Sequence, residues 1–244
     1  MIRVGCSGFY YPNWRNQFYP HGLSQKDWLS YYSLIFPTVE LNGTFYRIPK
    51  SSDLKRYFQV TPDDFTFSVK MSRYITHVQR LTSRESITDF QTLLKDNLQN
   101  KLQYFLFQFP ASFHYSEENL DRIVTHVPNS PNNVVEFRHQ SWWNDDVRKI
   151  LTQSAITFVN VDYPGLDSYA INTSPLFYLR LHGNPVLFTS SYDNAELEKF
   201  RLQIPDDATS VNVYFNNTMN AAGYENAAQF MGVISQNLVV NKYG

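Results

Sequence analysis

What most constrains this chain is an alternation. Eight short runs of β-branched and aromatic residues, at 2–7, 38–42, 65–70, 104–109, 134–138, 156–162, 177–182 and 211–216, are separated by longer stretches with helical signals. The helical stretches run over 52–59, 85–100, 116–126, 145–153, 194–202 and 225–238. A first one begins at the capping-box-like Ser24-Gln-Lys-Asp27, with Trp28, Tyr31, Tyr32 and Ile35 at helical spacing. After Asp162, Pro164 and Gly165 allow little more than a turn or a short helix. Strands that alternate with helices pair in parallel under helical cover. Eight of them in 244 residues fit an α/β fold of the TIM-like (β/α)8 barrel type better than an open doubly wound sheet. No linker, low-complexity tract or repeat of residue identity divides the sequence, so 1–244 reads as a single domain. Gly5-Cys-Ser-Gly8 follows the first run but lacks the glycine spacing of a dinucleotide or phosphate loop.

Composition removes several classes. With 43% apolar and 16% aromatic residues the chain can bury a core, which excludes a disordered or collagen-like protein. One cysteine, Cys6, excludes an intramolecular disulfide framework and any multi-cysteine metal site. A formal charge of −1 disfavours nucleic acid as the partner. No apolar run approaches the roughly 18 residues of a membrane span, and no signal-like start is seen, so a cytoplasmic protein with no membrane partner is expected. The sequence sets neither an oligomeric state nor a cofactor.

In a barrel strand alternate residues face the helices or the interior, and functional groups collect at the C-terminal ends. If the apolar positions face outward, the interior receives Glu40 and Asn42, then Thr66, Ser68 and Lys70, then Leu106 and Gln108, then Glu136 and Arg138. It also receives Asn160 and Asp162, Arg180 and His182, and Tyr214 and Asn216. So many charges are costly to bury unless paired. One reading is a ring of ion pairs that only closes the barrel, with Glu40, Glu136 and Asp162 against Lys70, Arg138 and Arg180. The other is a site in which Lys and Arg grip a small anionic or polar molecule while the carboxylates and His182 move protons. The loops add Tyr46 and Arg47 as a stacking face and anion clamp, together with His77, His139 and Asn217.

Several motifs carry a family resemblance. They are Gly5-Cys-Ser-Gly8 with Trp14 and Phe18-Tyr-Pro20, Val39-Glu-Leu-Asn42 with Thr44-Phe-Tyr-Arg47, Phe67-Ser-Val-Lys70 with Ile75-Thr-His77, and Gln108-Phe-Pro110. Val135-Glu-Phe-Arg-His139 with Ser141-Trp142, Tyr178-Leu-Arg-Leu-His-Gly183, and Tyr214-Phe-Asn-Asn217 with Asn226-Ala227 complete the set. Together they resemble the YecE-like family, the domain of unknown function 72, over nearly the whole chain. The resemblance implies a TIM-barrel-like fold and supplies no reaction. Its pattern falls on Glu40, Asn42, Tyr46, Arg47, Lys70, His77, Gln108, Glu136, Arg138, His139, Arg180, His182, Asn216 and Asn217. The chain departs from the pattern at Cys6, at Phe9 and in the Tyr-Pro-Gly after Asp162.

Three functions compete. The first is a metal-independent acid/base enzyme acting on a small anionic or polyhydroxylated substrate. Glu40, Lys70, Glu136, Asp162 and His182 are its catalytic candidates, with Asn42, Tyr46, Arg47, His77, Gln108, Arg138, His139, Arg180, Asn216 and Asn217 binding substrate. In one variant Lys70 is a Schiff-base nucleophile. The second is a divalent-metal phosphoesterase or sugar isomerase resembling endonuclease IV-like barrels, with Glu40, Glu136, Asp162 and His182 as ligands. The third is a protein that binds an anionic metabolite without turnover.

Overall fold

The structure, a computed structural model, describes residues 1–243, with side chains described through Ser235. Its strands are β1 (Ile2–Cys6), β2 (Thr38–Leu41), β3 (Thr66–Lys70), β4 (Leu102–Gln108), β5 (Asn133–Glu136), β6 (Thr157–Asp162), β7 (Leu176–Leu181) and β8 (Ser210–Phe215). All pair in parallel in sequence order, and β1 pairs with β8 to close the barrel. Each of the eight predicted runs contains one of these strands to within a residue or two. The helices are α1 (Trp28–Ser33), α2 (Gly43–Tyr46), α3 (Ser51–Val60), α4 (Arg84–Leu98), α5 (Glu117–His126), α6 (Asp145–Gln153), α7 (Asn194–Leu202) and α8 (Ala222–Tyr243).

Side-chain caps start four of these helices, α4 to α7. Ser116 accepts from Asn119 N at 3.1 Å, Asn144 from Val147 N at 3.0 Å, and Asp193 closes a capping box with Glu196. The start expected at Ser24 is different. Its side chain makes no cap bond, Gln25–Asp27 form a single 3-10 turn, and α1 begins only at Trp28. Outward-facing aromatics pack the layer between barrel and helices. Phe137 stacks on Trp142 with ring centres 4.0 Å apart, and Phe67 meets Phe65 and Tyr57. Each fully buried large side chain of this kind contributes about 1.5–3 kcal/mol.

Strand facing follows the alternation expected from the sequence, except at β6. Paired Cα positions in neighbouring parallel strands point to the same side. Val161 pairs with Arg180 and Val159 with Tyr178, while Asn160 and Asp162 pair with the outward Leu179 and Leu181. In this sector the valines therefore fill the barrel, and Asn160 and Asp162 stand on its outer surface. The cause lies in the connection that follows. From Tyr163 to Pro175 the chain forms no helix, so its backbone groups need partners. Asn160 supplies both, accepting from Ile171 N at 2.8 Å and donating to Ile171 O at 3.3 Å.

Candidate functional site

The barrel interior is layered by polarity. Near the N-terminal end Asn212 donates to the Tyr104 hydroxyl at 3.0 Å. In the middle the Tyr214 hydroxyl lies 2.7 Å from Thr38 Oγ1 and 2.8 Å from Ser68 Oγ. Above them Arg180, fully buried from β7, clasps Glu40 of β2, with Nη2 2.6 Å from Oε1 and Nε 3.0 Å from Oε2. Its remaining nitrogen, Nη1, donates to Glu136 Oε2 of β5 at 2.5 Å. Ser7 and Tyr178 also donate to Glu40, each at 2.7 Å. Burial on its own would make Arg180 less basic, but Glu136 and Glu40 together hold its pKa above the usual arginine value. This layer is fixed, and each lone pair of Glu40 is already occupied.

The mouth lies one layer higher. Arg138, just beyond β5, forms an ion pair with Glu136 Oε1 through Nη2, and its guanidinium lies over the Tyr163 ring, 4.1 Å from the centroid. His182 sits 3.1 Å from Arg138 Nη2 through Nε2 and 2.8 Å from Asn216 Nδ2 through Nδ1. Burial, then Arg138 and Arg180, hold His182 well below the usual histidine range, so it is neutral at pH 7. Burial would raise the pKa of Glu136, yet Arg138 and Arg180 outweigh it and keep the carboxyl ionised. Oxygen Oε1 of Glu136 is buried against Arg138 Nη2, with His182 Nε2 3.6 Å away. Gln108, paired with Glu136 in the register, lines the same side and donates to Phe109 O at 2.5 Å.

Lys70 closes the ring at the C-terminal end of β3. Its ammonium nitrogen lies 4.0 Å from the centre of the Phe45 ring and has no acceptor within hydrogen-bond reach among the described residues. Burial, reinforced by the positive charges of Arg180 and Arg138, lowers its pKa to about 7 against the opposing pull of Glu136 and Glu40. The same Phe45 ring meets the edge of His77, with centres 4.9 Å apart. Burial and then Lys70 lower the pKa of His77 to about 4, and its Nδ1 is 2.9 Å from Thr76 Oγ1. Thr44, next to Phe45, donates to Lys70 O at 2.7 Å and ties α2 to the end of β3.

The expected site residues thus divide. Glu40, Lys70, Gln108, Glu136, Arg138, Arg180, His182 and Asn216 gather at the mouth or directly beneath it, with His77 beside Lys70. Asn42 stands at the rim, donating to Ser7 O at 3.3 Å, and its Oδ1 is buried without a partner. Together with Tyr46 and Arg47 it lines a neighbouring cleft of about 390 Å³ between the loops after β1 and β2. Three residues fall elsewhere. Asp162, on the outer face, accepts from Tyr192 Oη at 2.6 Å and Asn184 Nδ2 at 3.2 Å, so it anchors the loop after β7. His139 caps the turn Gln140–Trp142 and stacks on His114 with ring centres 3.9 Å apart. Asn217 is buried and donates to Ser190 O and Asn226 Oδ1, both at 3.0 Å, pinning β8 to α8. With Asp162 removed and both glutamates bonded to arginine, the four expected metal ligands do not converge. Among the described residues no group of three or more His, Cys, Asp or Glu side chains is arranged to hold a cation.

Tyr163, Phe45, Ser7 and Tyr178 also shape the site, although the sequence pattern marks none of them as a site residue. Tyr178 was legible, because alternation from Arg180 places it inside. Phe45 and Tyr163 stood within segments already singled out but carried no charge to mark them.

A closed (β/α)8 barrel with an arginine–carboxylate network below its mouth and two cations seated on aromatic rings defines the class. The chain belongs to the family described as protein of unknown function DUF72, which matches residues 3–242. It is 33% identical to the UPF0759 protein YunF of Bacillus subtilis over 152 residues, 59% of this chain and 53% of that protein. It is 30% identical to YecE of Escherichia coli K12 over 145 residues, 59% of this chain and 50% of that protein. In these matches the chain spans about half the length of the curated relatives. A DUF72 family protein from Thermotoga maritima superposes with a TM-score of 0.87 at 30% identity, covering 96% of this chain and 99% of the other. One from Enterococcus faecalis superposes with a TM-score of 0.80 at 23% identity, covering 96% of each chain. No helix among the described residues is long and apolar enough to cross a membrane.

Proposed function

We propose that the barrel mouth is the active site of a cytoplasmic enzyme that transfers a proton on a small anion bearing a carbonyl or hydroxyl group. One observation carries the reading: the Lys70 amine is at the mouth, half-buried and without an acceptor, while the other charges beneath it are locked in pairs. An amine with a pKa of about 7 is matched to proton transfer at neutral pH. Glu40 and Arg180 form the fixed floor. Arg138, steadied by Tyr163 and Glu136, is the clamp for a carboxylate or phosphate. Neutral His182, with Asn216, orients Arg138 from the opposite side.

The test uses 2-oxo acids and sugar phosphates in D2O, with exchange of the carbon-bound hydrogens next to the carbonyl followed by NMR. Exchange with the wild-type protein that falls at least about a hundredfold in Lys70→Met supports proton transfer by Lys70. Binding of the same anions with no exchange makes the protein a binder without turnover.

A further inference from the structure

The surroundings of Lys70 favour one kind of chemistry beyond proton transfer. A base that only shuttles protons is usually held by a hydrogen bond that orients its lone pair, and Lys70 has none. The nitrogen instead rests 4.0 Å from the centre of the Phe45 ring, which shields one side of it from water, and the side chain as a whole is half-buried. The groups that act on it are Arg180 of β7, Glu136 and Arg138 of and beyond β5, and Glu40 of β2. Phe45 of α2 touches it directly, and His77 meets the same ring with centres 4.9 Å apart. Both glutamates are committed to arginine, so neither is free to pair with an ammonium ion here.

Resting on the acid/base reading above, we propose that Lys70 is a covalent nucleophile that condenses with the carbonyl group of a small anionic aldehyde or ketone held by Arg138. The Nζ lone pair forms a bond to the carbonyl carbon as the C=O π bond breaks, and the oxygen takes a proton to give a carbinolamine. That hydroxyl leaves as water when protonated, giving a protonated imine with no change of oxidation state. The imine then makes the neighbouring C–H acidic, which is the proton transfer already proposed. Because burial, reinforced by Arg180 and Arg138, disfavours a charge on the nitrogen, a substantial fraction of the amine is uncharged and ready to attack at neutral pH.

Reductive trapping tests this. The full chain is incubated at pH 7 with glyoxylate, pyruvate or dihydroxyacetone phosphate and cyanoborohydride, whose hydride reduces an imine to a stable secondary amine. Intact mass and peptide mapping then locate the adduct. The expected result is one adduct per chain at Lys70, formed at least about tenfold faster than at the exposed Lys55, slowed by inorganic phosphate and absent in Lys70→Arg. Lys55→Arg leaves the labelling unchanged. Adducts spread over exposed lysines, with no enrichment at Lys70 in the wild-type protein, overturn the proposal whatever the variants do. In that case hydrogen exchange in D2O that still depends on Lys70 leaves the acid/base reading standing, and its absence removes both.

Discussion

Arg180 and Glu40 meet side by side inside the barrel, the guanidinium edge against the carboxylate edge, with Nη2–Oε1 at 2.6 Å and Nε–Oε2 at 3.0 Å. Neither is exposed to water, and the same guanidinium also holds Glu136. Two carboxylates therefore depend on one cation, with Arg138 sharing only the upper one. Removal of Arg180 strands charge where solvation cannot compensate. Arg180→Ala should lower the unfolding free energy by about 3–5 kcal/mol, read from urea denaturation. A loss under about 1 kcal/mol means that water or a rearranged Arg138 replaces it.

Lys70 makes the opposite prediction. Its pKa is about 7 in the fold against an ordinary 10.5, so between these values the unfolded chain holds a proton that the folded chain lacks. Stability from this group therefore rises with pH across pH 7–10.5, and the full penalty of the buried ammonium is borne below pH 7. Lys70→Met should stabilise the protein at pH 6, with the gain shrinking as the pH is raised toward 10. Denaturant midpoints for both proteins across that range check it. Equal destabilisation by Lys70→Met at every pH contradicts it.

The seating of Arg138 on Tyr163 is worth about 0.5–2 kcal/mol of cation–π attraction. Tyr163→Leu should weaken phosphate or pyruvate binding by about threefold to thirtyfold in calorimetric titration. Tyr163→Phe, which keeps the ring, should bind as the wild type does. Equal losses in the two variants point to the hydroxyl rather than to the ring.

Asp162 holds the Tyr192 hydroxyl and Asn184 on the outside of the barrel. Asp162→Asn should cost about 1–3 kcal/mol of stability and leave hydrogen exchange and lysine trapping intact. Loss of exchange in a folded Asp162→Asn protein would place this carboxylate in the chemistry after all.

The placement of Asp162 also shows how far the sequence could be read. All eight strands were legible because parallel barrel strands are short, β-branched and regularly interrupted, and Pro164-Gly165 marked the weakest connection, where a turn or a short helix was expected and no helix forms. Polar residues at the interior positions of the other strands led to Glu40, Lys70, Glu136, Arg138 and Arg180. The same rule misplaced Asn160 and Asp162, since it assumes that apolar residues always face a covering helix. Where the helix is missing, the outer face needs hydrogen-bonding groups, and Val159 and Val161 turn inward. His139 and Asn217 were misassigned for a related reason. A strand end carries capping groups as well as functional ones, and spacing alone does not separate them. Phe45 and Tyr163, which make cations tolerable at the mouth, carry no charge, so only three-dimensional proximity identifies them.

Chemistry at the barrel mouth requires that the Lys70 amine be free and titrate near neutrality. Protein labelled with ¹³C at lysine Cε, titrated by NMR from pH 5 to 11 and assigned with Lys70→Arg, measures it directly. One lysine should show a midpoint near 7 that moves upward when phosphate is added, because the anion favours the ammonium form. A Lys70 midpoint near the ordinary 10.5, unmoved by phosphate, would mean that the amine is neither free nor part of an anion site.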